Sequence, residues 1–511
     1  MKQFILFICA AVIAVSMQAQ NQPEESTHFR TYYKYRIYLK DKKGTEFSVK
    51  HPEQFLSRKA IERRQRQHLK IDETDLPVSR KYIDQICALG VKVCSTSKWN
   101  NTVLVKTEDT TVVEAIARLP FVAKTRKVAT YTRAPRKNDR DRFSLISEDD
   151  SAPADASSRS DQLASLFKTL HPDATQSAVD SIGIAVSFLQ EIMGLEGDED
   201  NDDDDDAADN NSIYGAGYTQ INQLHGIALH DRGFRGQGMT IAIIDGGFYN
   251  ADIIPMLKDT KILGTKDFVD PDGNVFEEES HGMMVLSCIA TNTPNTFIGT
   301  APEASFWLLR SEDGNSEQPV EEDNWAAAVE YADSVGADVV NTSLGYSKYD
   351  DPADLVSYSD LDGHTMLCSN TASMMASKGM VLCNSAGNEG DNTWKLISAP
   401  ADADDVLTVG AVDSDGTNTL FSSLGNTADG RIKPDVMAMG GNSTVLSIRG
   451  RVTTANGTSF ASPIMCGMVT CFWQAHPELT AKQVVEAVRM LGHTADHPNN
   501  VYGYGIPDFS K

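Results

Sequence analysis

The sequence predicts an α/β protein with a doubly wound, mainly parallel sheet, preceded by a small α+β domain. After residue 213, short apolar runs alternate with helical patterns, which implies strands covered by helices on both faces. Residues 458–475 carry no charged side chain, as expected of a helix buried in a large domain. Between residues 134 and 212 Ser, Asp and Ala dominate, so folding units are expected on either side of a linker. A chain of 511 residues is long enough for two or three units.

At the N-terminus, Lys2 and the apolar run 4–15, ending near Ala19, read as a secretory signal over residues 1–19. A secreted, periplasmic or extracellular location follows. The run is short for a membrane span, which needs roughly 20 apolar residues, and no stable span is expected elsewhere. Residues 20–133 read as the α+β domain. Tyr33–Leu39, Val91–Cys94, Val103–Lys106 and Val122–Tyr131 have strand patterns. Glu53–Arg66, Ser79–Leu89 and Thr110–Leu119 are helical, with Ser79 as a cap and Gly90 and Pro120 as stops.

Residues 134–212 form an acidic Ser/Asp-rich linker. Its run Asp198–Asp206 holds eight acidic residues in nine positions and is expected to be disordered, while Ala178–Met193 has helical spacing. Residues 213–511 are the main domain. Strands are expected at Thr240–Ile244, Phe306–Leu309, Asp338–Asn341, Met380–Cys383 and Val406–Val409, with helices over Asn324–Ser334 and Thr365–Lys378. Thr480 and Gln483 form a capping box for a last helix that stops near Gly492.

Charge divides the chain. Residues 21–142 hold 27 Lys and Arg against 15 Asp and Glu; residues 213–511 hold 16 against 38. The two regions should attract each other. The acidic body argues against nucleic acid as a partner, because phosphate backbones need Lys and Arg. Of eight cysteines, Cys9 falls in the signal, which leaves an odd seven. Cys87 with Cys94, and Cys368 with Cys383, are possible pairs; Cys466 and Cys471 read as core residues.

Peptide hydrolysis without a metal needs an activated nucleophile, a base, a group that orients the base, and donors for an oxyanion. Gly457-Thr458-Ser459-Phe460-Ala461-Ser462-Pro463 places a serine at the start of the uncharged helix, where free N–H groups and a positive partial charge collect. By local rules alone Ser459 is a helix cap. The heptapeptide, however, resembles the nucleophile motif of the subtilisin family of serine proteases. That resemblance implies further sites upstream, in the order Asp, His, Asn. Asp245 follows the Thr240–Ile244 strand in Ile244-Asp245-Gly246-Gly247-Phe248 and is similar to the family's catalytic Asp, with Gly246 where Ser or Thr is usual. His281, 36 residues later in His281-Gly282-Met283-Met284-Val285, is similar to the catalytic His, with Met283 in place of Thr. Asn388 in Ser385-Ala386-Gly387-Asn388-Glu389 resembles the oxyanion asparagine. Ser343, Leu344 and Gly345 match the stretch that binds substrate. Gly299-Thr300-Ala301-Pro302, Phe421-Ser422-Ser423 and Lys433-Pro434-Asp435 also fit the pattern.

The resemblance implies a secreted serine endopeptidase made as an auto-inhibited zymogen. Protein or peptide substrates are its partners, and its own propeptide, residues 20–133, is its intramolecular inhibitor. No metal or cofactor is required for the chemistry; structural calcium is common in the family, but no loop here identifies a site. The basic residues Arg133, Arg136, Lys137, Arg140 and Arg142 offer processing sites. Glu312, Asp313, Glu317, Glu321, Glu322 and Asp323 form either a solvated helix face or a border of the cleft that favours basic side chains. An esterase of the α/β-hydrolase fold is disfavoured, since that fold needs the order Ser, acid, His and only 52 residues follow Ser459, too few for its remaining strands. A degenerate, non-enzymatic scaffold would have lost a catalytic group, and all four are present.

Overall fold

In the N-terminal region the strand patterns become β1 (Arg30–Leu39), β2 (Lys92–Ser97), β3 (Thr102–Thr107) and β4 (Val122–Arg133). They form an antiparallel sheet in the order β2-β3-β1-β4. The computed structural model describes residues 30–133 and 213–511, which cluster as one unit. The expected signal, the acidic linker and the helix over 178–193 lie outside the described residues.

Three helices accompany this sheet: α1 (Arg58–Arg66), α2 (Arg80–Cys87) and α3 (Val112–Ala117). Ile86 of α2 and Ile116 of α3 pack with Ile37, Val103 and Val105 in one small core. The helix expected from Glu53 begins only at Arg58. Ser57 caps it by accepting the Ala60 N–H, and Pro52–Gln54 forms a separate 3₁₀ turn. Ser79 does precede α2, but its hydroxyl is buried without a partner and does not cap it.

The main domain carries seven parallel strands: β5 (Thr240–Asp245), β6 (Lys261–Asp267), β7 (Ser305–Arg310), β8 (Val339–Thr342), β9 (Val381–Ser385), β10 (Leu407–Val412) and β11 (Val436–Met439). Their order is β11-β10-β9-β8-β5-β7-β6. From β5 the chain goes to the edge strand β6, returns to β7 beside β5, and then crosses to β8 on the other side. Such reversals place a crevice at the carboxyl ends of the strands. Ala242, Ile244, Val340 and Leu382 pack on one face with Trp325 and Cys368. Their neighbours Ile241, Ile243, Val339 and Val381 point to the other face and are equally buried. The doubly wound α/β expectation therefore holds. Strands β6 and β11 lack a recognisable pattern, because one is a charged edge strand, KILGTKD, and the other is only four residues long.

Five helices matter for the site: α4 (His281–Ala290), α5 (Val320–Val335), α6 (Leu367–Met374), α7 (Thr458–Ala475) and α8 (Ala481–Met490). Helix α7 has the bounds read from its lack of charge and runs along β8 to β11 beside α4. The capping box of Thr480 and Gln483 opens α8. Neither expected cysteine pair is bridged. Cys87 and Cys94 sit on α2 and β2, Cys368 and Cys383 on α6 and β9, and all seven described cysteines are free. The five in the main domain are buried and serve as apolar core residues.

The N-terminal domain lies along α5 and α6. Trp99, from the turn between β2 and β3, belongs to the core of the main domain with Trp325 and Ala328 of α5 and Cys368 and Ala372 of α6. Asn100 bonds Thr371 and Asn370 beside it. Leu104, Val128 and Ala129 cover Val320.

Candidate active site

Asp245, His281, Asn388 and Ser459 come from four different elements and meet at the carboxyl end of the sheet. Asp245 ends β5, fully buried. His281 opens α4, and its Nδ1–H donates to Asp245 Oδ1 at 2.8 Å. The Gly246 N–H donates to the same oxygen at 2.8 Å. Helix α4 can come this close because Gly282 has no side chain: a Cβ there would lie 2.4 Å from Gly247 O and 2.8 Å from Asp245 Cβ. Behind the pair, Arg310 at the end of β7 donates to Gly246 O at 3.0 Å and pairs with Asp267 at 2.9 Å, which fixes the turn after Asp245.

Burial pulls the His281 imidazole down. The charge and hydrogen bond of Asp245 outweigh that, with a further contribution from Glu279, and leave the imidazole above its ordinary value. The Glu279 carboxylate fills the space that a side chain at position 246 would take: a Cβ on Gly246 would lie 2.5 Å from its Oε2. The departure at Gly246 thus makes room for an acid next to His281. Met283, the second departure, is a buried residue of α4.

Ser459 is the second residue of α7. Gly457 before it has φ +149°, a backbone setting that side chains rarely adopt, so the turn into the helix needs glycine. Pro463 has no N–H to give the Ser459 carbonyl four residues back. The Ser343 hydroxyl donates to that carbonyl instead, at 2.8 Å. Asn341 in turn donates to Ser343 Oγ at 3.1 Å and accepts from Ser462 Oγ at 2.9 Å, which ties the end of β8 to the start of α7. The Ser459 hydroxyl donates to Ser343 O at 3.4 Å. It makes no hydrogen bond to His281, whose ring lies across from that of Phe460 with centroids 5.9 Å apart.

Asn388 follows β9. Its Oδ1 accepts both the N–H and the hydroxyl of Thr458, each at 2.9 Å. Held that way, the amide turns its NH₂ group out, and the residue is exposed. Thr458 also accepts the Gly387 N–H at 3.2 Å. Sequence reasoning missed Thr458 as the group that orients Asn388; its place one residue before Ser459 was the available signal. Ser343, Leu344 and Gly345 run from the end of β8 beside Ser459, and Gly345 lies against Ser398, whose Oγ would be 2.0 Å from a Cβ at that position.

The same ordered residues fall within a family match. Residues 236–505 match the subtilase family. The chain is a member of that family. It is thus a subtilisin-like serine endopeptidase, and residues 34–142 match the peptidase S8 propeptide domain of Bacteroidota. Subtilisin NAT of Bacillus subtilis subsp. natto is 30% identical over 289 residues, which cover 56% of this chain and 68% of the relative. Subtilisin E of Bacillus subtilis (strain 168) shows the same identity and coverage. Serine protease AprX of Bacillus subtilis (strain 168) is 26% identical over 322 residues, covering 56% of this chain and 69% of the relative.

The acidic residues do not form a solvated helix face. Glu312, Glu321, Glu322 and Asp323 are all buried. Glu312 accepts from Ser311 and Tyr346, Glu321 accepts from the N–H groups of Asp313 and Gln318, and Asp323 is bound by Arg36 of the propeptide domain. Asp313 is half-buried and Glu317 is exposed. Among the described residues no helix is long and apolar enough to cross a membrane. Among them, also, no group of three or more His, Cys, Asp or Glu side chains is placed to hold a metal ion.

Proposed function

We propose that Ser459 is the nucleophile of an Asp245-His281-Ser459 triad that cleaves peptide bonds through an acyl-enzyme. The observation that carries this reading is the 2.8 Å bond from His281 to Asp245, made where Ser459 opens a buried helix. Neutral His281 takes the proton of Ser459 as Oγ attacks the scissile carbonyl. A turn of the Ser459 hydroxyl away from Ser343 O brings the two groups together. Asp245 keeps the proton on Nδ1 and stabilises the imidazolium. The oxyanion receives two donors, the NH₂ of Asn388 and the N–H of Ser459 at the helix start. His281 then returns the proton to the leaving amine, and water repeats the sequence to free the acid. The backbone of Ser343, Leu344 and Gly345 pairs with an extended substrate.

The chain is made as a zymogen in this reading. The signal over residues 1–19 directs export. Residues 20–133 inhibit the body in cis, the linker over 134–212 is cut, and residues 213–511 are the mature enzyme. The test is N-terminal sequencing of protein made with and without Ser459→Ala. Wild type should yield a new N-terminus within the linker, and Ser459→Ala should keep the propeptide attached. Equal processing of both would remove the triad reading.

A further inference from the structure

The propeptide domain grips the main domain along the whole of α5. Asp323, Glu330 and Asp333 stand seven and three residues apart, on one face of that helix. Each is buried under a different part of the propeptide. Nearest the cleft, Arg36 of β1 binds Asp323 through Nε and Nη2 at 2.8 and 2.6 Å. At mid-helix, Glu330 accepts the N–H groups of Lys98 and Trp99 at 2.6 and 3.0 Å. At the far end, Asp333 is surrounded by Arg63, Arg64 and Lys98, with Arg64 at 2.9 Å and Lys98 at 3.0 Å.

The last of these contacts belongs to a separate cluster. Helix α1 and its flanking residues leave the propeptide core: Leu56, Ala60 and Leu76 are buried, yet none belongs to it. They dock on the pole of the sheet opposite the cleft. Lys59 pairs with Asp338, just before β8, at 2.9 Å and donates to Thr240, the first residue of β5. Gln67 donates to Gly379 O, just before β9, at 2.9 Å and accepts the N–H of Ala481, the first residue of α8, at 2.8 Å. Arg66 stacks over Trp473 near the end of α7. The main domain answers with Lys378, which reaches Asp75 and Thr74. Thr240 and Asp245 are five residues apart on β5, about 17 Å at strand rise. Trp473 and Ser459 are fourteen residues apart on α7, about 21 Å at helix rise.

We propose that residues 41–78, with Arg63 and Arg64 on Asp333 at their centre, are a second anchor that works independently of the cleft and sets how slowly the propeptide domain leaves the main domain. Lys59, Arg63, Arg64 and Arg66 each pair with a carboxylate of the main domain, Asp338 or Asp333, and neither is part of the triad, so occupancy of the cleft does not alter the anchor. Removing Arg63 and Arg64 strips Asp333 of two of its three cations and leaves a buried charge underpaired.

The experiment uses the full chain with Ser459→Ala and a recognition sequence for a foreign protease placed in the linker. This background needs no activity of the enzyme, so it tests the anchor separately from the triad. After the cut, the rate at which the propeptide fragment leaves is measured on immobilised protein. The unaltered fragment should stay through hours of washing, and Arg63→Gln/Arg64→Gln should leave at least a hundredfold faster. Should that double variant fail to fold, Lys59→Ala and Gln67→Ala carry the test, each expected to speed release about tenfold while sparing Asp333. Prompt loss of the unaltered fragment overturns the proposal. So does an unchanged release rate in the variants.

Discussion

The two poles of the seven-stranded sheet hold polar groups in opposite ways. At the carboxyl pole, the side chains of Asp245, His281, Asn388 and Ser459 are tied by few bonds: two to Asp245, from His281 and the Gly246 N–H, two to the Asn388 carbonyl, and one 3.4 Å contact of the Ser459 hydroxyl. His281 keeps a third of its side chain exposed, and Asn388 leaves its NH₂ group free. At the amino pole, Asp333 has no exposed surface and meets three cations at once. The first arrangement leaves donors and acceptors open for a reacting group, as chemistry requires. The second saturates its charges and serves attachment. A shared sheet thus supports a reaction at one end and a partner at the other.

The largest expected effect separates the two. Ser459→Ala should lower proteolysis by roughly a millionfold, the scale of loss that removal of the nucleophile causes in subtilisin, a relative of this chain. It should leave the amino pole intact, so the uncut variant should elute as one particle with a single unfolding transition. Separate melting of the propeptide domain would contradict the burial of Trp99 in the core of the main domain. Next in size is Asn388→Ala. It removes one oxyanion donor and should lower kcat about 10²–10³-fold, again a scale drawn from a subtilisin, with KM nearly constant. A change mainly in KM would make Asn388 a substrate-binding group. Thr458→Val should reproduce part of the kcat loss, because Asn388 would lose its hydroxyl partner and keep only the N–H.

The same contrast explains how much was legible in the sequence. The nucleophile and the histidine each sit inside a short peptide whose neighbour serves it directly: Gly457 before Ser459, Gly282 beside His281. Order along the chain then assembled the set. Helix α7 was readable because burial on all sides excludes charge from it. At the amino pole no such local rule operates. Arg63 and Asp333 are 270 residues apart, and Gln67 and Ala481 are 414 apart. The excess of cations in one region and anions in the other predicted attraction but not partners. Helix α5 shows the limit most clearly. Asp323, Glu330 and Asp333 have the spacing of a solvated face, and a charged face covered by another domain has the same periodicity as one in water. The hydrophobic pattern reports only the core that a segment shares with its own domain.

The amino pole should also resist acid. Burial raises the Asp333 carboxyl, but Lys98, Arg64 and Arg63 outweigh it and hold it well below the usual carboxylate range. A depressed carboxylate contributes stability that is complete above its ordinary range and is lost only as pH falls toward the depressed value. Burial raises Glu330 and Asp323 more than their partners lower them. A raised carboxylate favours the complex at low pH and loses that contribution as pH rises. Both signs agree between pH 7 and about pH 5, where none of the three weakens the complex. His51 and His68, the two histidines of the described propeptide, are exposed rather than buried in the interface. The cut Ser459→Ala protein should therefore keep its propeptide fragment at pH 5; release there, measured by gel filtration, would place the controlling groups elsewhere.

The smallest expected effect lies at the cleft and concerns Glu279. His281 must be neutral to accept the Ser459 proton, so kcat/KM should fall on the acid side as the imidazole protonates. The imidazole is held above its ordinary value by Asp245 and, to a lesser degree, by Glu279. Glu279→Gln removes that second negative charge while keeping the shape of the side chain over Gly246. The imidazole should then protonate at lower pH, and the acid limb of the kcat/KM profile should move toward lower pH with its plateau retained. Because Glu279 is exposed, salt screens it. The shift between wild type and variant should accordingly shrink as ionic strength rises, whereas the contribution of buried Asp245 should persist. A limb that stays in place at low salt would mean that the buried Asp245 alone sets the titration, and that the carboxylate beside Gly246 fills space without acting on the triad.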